Sequence, residues 1–99
     1  MYSIIGYLEF RADDRDQTIS ALQDVTTRSR QDAGCIDYWW SEDILLPNRF
    51  RFFECWESKE AFDAHQAMPY EHEFMTTHVT RVVGADAQVL TITDRSSAM

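Results

Sequence analysis

Ninety-nine residues are enough for one domain and leave no room for a second core. The chain carries 17 acidic and 9 basic side chains, a formal net charge of −8. Such a surface repels nucleic-acid phosphates and anionic lipids, so we expect neither a nucleic-acid nor a membrane partner. The N-terminus lacks a secretory signal pattern, and no run approaches the roughly 20 apolar residues of a membrane span. We therefore expect a cytoplasmic protein whose Cys35 and Cys55 are reduced.

The first third of the chain predicts a strand followed by a long amphipathic helix. Residues 2–10 are rich in β-formers and are bounded by charged residues, as is typical of a strand. Asp14, with Gln17 three positions later, has capping-box spacing and predicts the start of the helix. Apolar residues then recur at the helical period as far as Val25, and Gly34 predicts the helix end.

The middle of the chain predicts two further strands, residues 35–41 and 48–57, joined by a loop that contains Pro47. The third strand is apolar on both faces, with Phe50, Phe52 and Trp56 on one and Phe53 and Cys55 on the other. An antiparallel strand with one wet face should instead alternate apolar and polar residues. Since helices can cover only one face of a sheet in so small a domain, we expect a second copy to cover the other.

The last part of the chain predicts two short helices and a final strand. Ser58 is a typical N-cap, Pro69 suits the first turn of the next helix, and residues 82–94 contain the strand. The order β-α-β-β-α-β, with the second helix broken in two, is the ferredoxin-like signature. We predict an α+β domain over residues 1–94 with a four-stranded antiparallel sheet, followed by a short polar tail, 95–99.

The segment 54–74 carries a recognisable pattern. Glu54 and Trp56 form Glu-x-Trp at a strand end, His65 follows nine residues after the Trp, and Pro69 comes next. This pattern resembles that of the antibiotic biosynthesis monooxygenase family. The resemblance implies a homodimer whose sheets form an α/β barrel, with a pocket between sheet and helices in each subunit. It also implies oxidation of phenols, quinols or polycyclic aromatics by molecular oxygen, with no metal or organic cofactor.

The resemblance also implies roles for single residues. His65 would be the base that removes a phenolic proton, since the unperturbed histidine pKa of roughly 6.5 suits work near neutrality. Trp56 would form one wall of the pocket and donate its indole N–H to the substrate. Tyr70 stands where the family commonly has His, and either it or His72 would orient the substrate oxygen. The other residues predicted to bind substrate are Trp39, Phe52, Phe62 and Phe74.

On strand two, alternation sends Trp39 to one face of the sheet and both Tyr38 and Trp40 to the other. One set should line the pocket and the other the dimer seam, and the sequence leaves open which set does which.

Several groups that specific chemistries need are missing. Phe52 stands where family members acting on polycyclic polyketides tend to have Asn, and residues 2–10 lack the Asn of haem-degrading members. The three histidines are seven and six positions apart, which does not fit a metal-binding helix, so we expect no metal.

The first hypothesis is a cofactor-independent monooxygenase acting on a small aromatic, phenolic or quinol-like compound. A second is a dimeric small-molecule-binding module of the same fold without turnover. A third is an isomerase acting on a small carbonyl substrate, which would need His65 but not oxygen.

Overall fold

The computed structural model describes residues 1–99 and has the α+β ferredoxin-like fold that the sequence predicts. The elements are β1 (Tyr2–Phe10), α1 (Arg15–Ser29), β2 (Cys35–Glu42), β3 (Arg49–Trp56), α2 (Lys59–Gln66), α3 (Pro69–His78), a 3-10 turn (Val79–Arg81) and β4 (Val82–Thr91). The four strands are antiparallel and pair in the order β2-β3-β1-β4. No helix is both long and apolar enough to cross a membrane.

The broken second helix is confirmed, and its local chemistry explains the break. Ser58 caps α2 because its Oγ accepts a hydrogen bond from the backbone N–H of Ala61 at 3.1 Å. Pro69 begins α3, where a missing N–H costs nothing.

Asp14 is the N-cap residue of α1, as predicted, but the predicted capping box is wrong. Asp14 has a left-handed backbone (φ 57°) and its side chain makes no capping hydrogen bond. The loop before α1 is fixed from elsewhere, since Arg81 Nη2 donates to the carbonyl oxygens of Asp13 and Asp14 at 2.6 and 3.1 Å. The helix also ends at Ser29, earlier than predicted, and Gly34 lies in the following turn with φ +82°. A Cβ at Gly34 would lie 2.6 Å from Ala61 Cβ, so glycine is needed there for packing as well as for conformation.

The three helices cover one face of the sheet, which we call the helix face. Its core is formed by Phe10, Leu22, Val25, Phe50 and Phe74. The strand register extends this face along β3, where Phe52 lies opposite Gly6 and Trp40, and Glu54 opposite Ile4 and Tyr38. The opposite face, which we call the open face, includes Ile5, Trp39, Phe53 and Leu90.

Candidate functional site

A cavity of about 500 Å³ lies between the helix face of the sheet and helices α2 and α3. Gly6 leaves its floor free of a side chain between Ile4 and Leu8, and a Cβ at Gly6 would lie 2.0 Å from the Asp86 carbonyl oxygen of β4. Close approach of β1 and β4 therefore requires glycine at this position. The lining is mostly apolar: Tyr2, Ile4, Leu8, Tyr38, Trp40, Phe52, Glu54, Phe62, Gln66, Glu71, Phe74, Met75, Ala87, Gln88 and Val89.

Two carboxylates, Glu54 of β3 and Glu71 of α3, lie in this apolar wall. Each residue is only 7% exposed, and this burial raises the pKa of both carboxyls to about 7. The indole N–H of Trp56 donates to Glu54 Oε1 at 3.1 Å, whereas Glu71 Oε2 is buried without a hydrogen-bond partner. The cavity thus holds two acids that gain and lose a proton near neutral pH.

His65 of α2 lies behind these carboxylates, and its side chain is fully buried. Its ring stacks on Trp56, with 4.5 Å between centroids and 28° between planes. Nδ1 lies 2.9 Å from Asp32 Oδ2, while Nε2 lies 3.7 Å from both Glu54 Oε1 and Glu71 Oε2. Burial lowers the pKa of His65, and the hydrogen bond that its ring N–H donates to Asp32 opposes that effect. A neutral ring that donates through Nδ1 to the Asp32 carboxylate has Nε2 free as an acceptor towards the cavity acids.

Asp32, in the turn between α1 and β2, is held by a second donor. The hydroxyl of Tyr70 donates to Asp32 Oδ2 at 2.5 Å and lies 3.1 Å from His65 Nδ1. Burial raises the pKa of Tyr70, and the hydrogen bond to Asp32 adds to the rise. Tyr70 thus stays protonated and faces the Asp32–His65 pair rather than the cavity.

Comparison with known proteins agrees with this architecture. Residues 1–77 match the model of a family described as antibiotic biosynthesis monooxygenase. The chain belongs to this family. It is also 36% identical over 72 residues to sll1783, an uncharacterised protein of Synechocystis sp., a match that covers 73% of this chain and 49% of that protein. The chain thus spans about half the length of this curated relative.

Two similar solved structures share the fold of this chain over nearly its whole length. A proposed antibiotic biosynthesis monooxygenase from Deinococcus radiodurans superposes with a TM-score of 0.90 at 23% identity, covering 100% of this chain and 99% of that one. Rv0793 from Mycobacterium tuberculosis gives a TM-score of 0.86 at 23% identity, with 97% and 98% of the chains covered. At this level of identity the likeness supports the fold and leaves the reaction open.

The site residues that the sequence predicts fall into three groups in the structure. Phe52, Phe62 and Phe74 line the cavity. Trp56, His65 and Tyr70 lie together behind its wall, where Trp56 donates its indole N–H to Glu54 and is not itself part of the lining. Trp39 and His72 lie away from the cavity.

The structure therefore corrects the placement of the last two. Trp39 is on the open face beside Phe53, because Tyr38 and Trp40 take the helix face of β2. His72 is exposed, because α3 turns Glu71 and Phe74 inwards. The sequence did not decide which face of β2 lines the cavity. The structure shows that Tyr38 and Trp40 do so.

Sequence reasoning did not assign a role to Glu54, Glu71 or Asp32. Glu54 had a usable signal, since it is an acid between Phe52 and Trp56 on one apolar strand face. Glu71 had a weaker one, three positions before Phe74 on the same side of a helix. Asp32 lies in a turn and reaches His65 across 33 sequence positions, a contact that no local pattern indicates.

Proposed function

We propose that this protein is a monooxygenase that oxidises a small phenol, naphthol or quinol with molecular oxygen, without a metal or organic cofactor. The observation that carries the proposal is an aromatic cavity of about 500 Å³ with two carboxylates of pKa about 7 in its wall. This volume suits a ligand of one or two fused rings. Family membership supports the same reaction class.

The reaction needs a base but no external electron donor. A carboxylate takes the phenolic proton, and the phenolate passes one electron to oxygen. The two radicals combine to form a C–O bond, and cleavage of the O–O bond leaves one oxygen atom in the product as a carbonyl. The other leaves as water with the phenolic and ring protons. For a naphthol the products are a quinone and water, and the substrate supplies all four electrons.

Glu71 is the better base of the two carboxylates. Its Oε2 has no hydrogen-bond partner, whereas Glu54 Oε1 already accepts from Trp56. A general base works best when its pKa is close to the pH at which the enzyme operates. The pKa of Glu71, about 7, meets this condition near neutral pH. His65, the base predicted from sequence, is fully buried behind both carboxylates, so it acts on the substrate only through them.

The test is oxygen uptake with a panel of naphthols and hydroquinones, with ¹⁸O₂ to follow the transferred atom. Wild type should place one labelled atom in the quinone. Glu71→Gln should lower kcat about 100-fold, the usual contribution of a general base. Glu73→Gln removes an exposed carboxylate of the same helix and should leave the rate unchanged. Oxygen uptake at background across the whole panel would overturn the proposal.

The alternatives give different results in the same assays. An isomerase would convert its substrate under anaerobic conditions, where the proposed reaction stops. A binding module without turnover would show saturable tryptophan quenching by naphthols and no oxygen uptake.

We also propose that the active form is a homodimer joined through the open face. Apolar side chains there stay accessible, with Ile5 41%, Trp39 36% and Leu90 37% exposed, and such a patch is typical of an interaction surface. Light scattering should give twice the 11.6 kDa chain mass. Phe53→Glu places one carboxylate from each protomer in the dimer interface and should lower the measured mass to that of the monomer. A monomeric wild type would contradict the dimer.

A further inference from the structure

His65 is the most deeply buried histidine of the chain, and no substrate in the cavity can touch it. Its side chain has no exposed area, and it is absent from the cavity lining. Trp56 stacks on one face of the ring, and Tyr38 meets it edge-on at 5.8 Å. A histidine so enclosed acts on the cavity only through the groups that its two nitrogens meet.

Those nitrogens face two different environments. Nδ1 points to Asp32, whose side chain is 15% exposed at the protein surface. Nε2 points to Glu54 and Glu71, has no hydrogen-bond partner, and lies 3.7 Å from each carboxylate. A small side-chain movement closes 3.7 Å to hydrogen-bond length. The arrangement is a line of acid, imidazole and acid that runs from the surface turn to the cavity.

We propose that Asp32 and His65 form a proton store behind the cavity, filled and emptied through Glu71. The inference rests on the proposed function, which supplies the proton. The substrate O–H bond breaks, and its proton bonds to Glu71. The proton then moves to His65 Nε2, and Asp32 stabilises the resulting imidazolium. When the O–O bond breaks, the proton returns through Glu71 to the oxygen that leaves as water. No proton is lost to solvent, and His65 returns to its starting tautomer.

The charges around the ring suit temporary storage. The titratable groups that face it are Asp32 from the turn, Tyr38 from β2, Glu54 from β3, and Tyr70 and Glu71 from α3. Burial lowers the pKa of His65 below its ordinary value, so the ring is neutral at rest. The pKa of Glu71 is about 7, so a proton on the His65 ring moves back readily to Glu71. The ring therefore holds the proton only transiently and returns it when the O–O bond breaks. Asp32 and His65 are thus positioning residues that act through Glu71.

Kinetics of Asp32→Asn test the store. The asparagine oxygen can still accept from Nδ1–H, so the ring keeps its place but loses the anion that stabilises imidazolium. We expect kcat to fall at least 10-fold with KM within twofold of wild type, and the solvent isotope effect on kcat to increase. Asp24→Asn removes one charge from the exposed face of α1 and should leave kcat, KM and the solvent isotope effect unchanged. Wild-type kcat in Asp32→Asn would overturn the proposal.

Nitrogen-15 NMR of the histidine rings tests the same pair without substrate. At pH 7 the His65 ring should be neutral, with the proton on Nδ1. Asp32→Asn should lower its pKa by at least one, while Asp24→Asn leaves it unchanged. A proton on Nε2 in neutral wild type would overturn the store even if oxygen uptake is observed. Conversely, absent oxygen uptake overturns the proposed function, and with it the role of the store, whatever the spectrum shows.

Discussion

Phe52 and Phe53 are neighbours on β3 that point to opposite faces of the sheet, and their surroundings differ. Phe52 packs against Trp40, with 4.7 Å between ring centroids, and forms part of the cavity wall. Phe53 packs against Trp39 on the open face, with 5.9 Å between ring centroids, and there Trp39 and Ile5 remain accessible to solvent. The two faces carry similar aromatic side chains, so composition does not decide which one forms a cavity. The helices decide it, because they enclose one face and bury acids against it.

The largest expected difference between the two faces is in stability. Trp56 is fully buried on the helix face. Trp56→Ala should cost about 4 kcal/mol of unfolding free energy, because it leaves a cavity and removes the hydrogen bond that the indole N–H donates to Glu54. Trp39→Ala on the open face should cost about 1 kcal/mol, because this side chain is already 36% exposed. Urea unfolding of both variants under conditions that keep wild type monomeric measures the difference. Equal costs would contradict the assignment of faces.

The buried acids should give the helix face a pH dependence of its own. Burial raises the pKa of Glu71 from 4.5 to about 7, so the folded state favours its protonated form. That stabilisation is complete below pH 4.5 and is lost as pH rises to about 7, a loss of about 3 kcal/mol. Glutamine has no carboxyl to ionise, so Glu71→Gln should not show this loss. The unfolding free energy of the variant should therefore rise relative to that of wild type between pH 4.5 and 8.

Comparison with the variant is needed because His65 works in the opposite direction. Its lowered pKa contributes stability that is lost as pH falls. Taking the difference between wild type and Glu71→Gln at each pH in urea titrations removes most of that effect. Glu73→Gln, on the exposed side of α3, should show a flat difference over the same range. A wild type that gains stability relative to Glu71→Gln as pH rises would contradict the burial of this acid.

A smaller effect should separate the two phenylalanines in ligand binding. Phe52→Leu removes an aromatic contact from the cavity wall, worth about 1 kcal/mol, and should raise the Kd for 1-naphthol about fivefold. Phe53→Leu should leave that Kd unchanged, because its ring is on the other face. Tryptophan quenching by 1-naphthol measures both constants. If Phe53→Leu weakens binding as much as Phe52→Leu, the ligand does not bind in this cavity.

The smallest effect is expected on the exposed side of α3. His72 lies at the surface next to the buried Glu71, so His72→Gln should change stability by no more than about 0.5 kcal/mol and kcat by less than twofold. Urea unfolding and oxygen uptake check both values. A loss of activity comparable with that of Glu71→Gln would mean that α3 is rotated relative to the present structure.

Much of the fold follows from local signals. Ser58 and Pro69 predict the start of α2 and α3, and the structure confirms both because these effects need only neighbouring backbone groups. The Asp14 capping box failed because a distant side chain, Arg81, fixes the backbone of that loop. Local patterns are reliable where no long-range contact competes with them.

Local sequence patterns predict the order of the elements, the break between α2 and α3, the family, and the aromatic character of the site. Which face of β2 lines the cavity, and which of Tyr70, Glu71 and His72 points inwards, depends on how the helices pack on the sheet. The same packing brings Asp32, Glu54 and Glu71 around His65. The physical reason is that the pKa of a carboxyl depends on burial by elements distant in sequence, whereas caps and strand periods depend on neighbours.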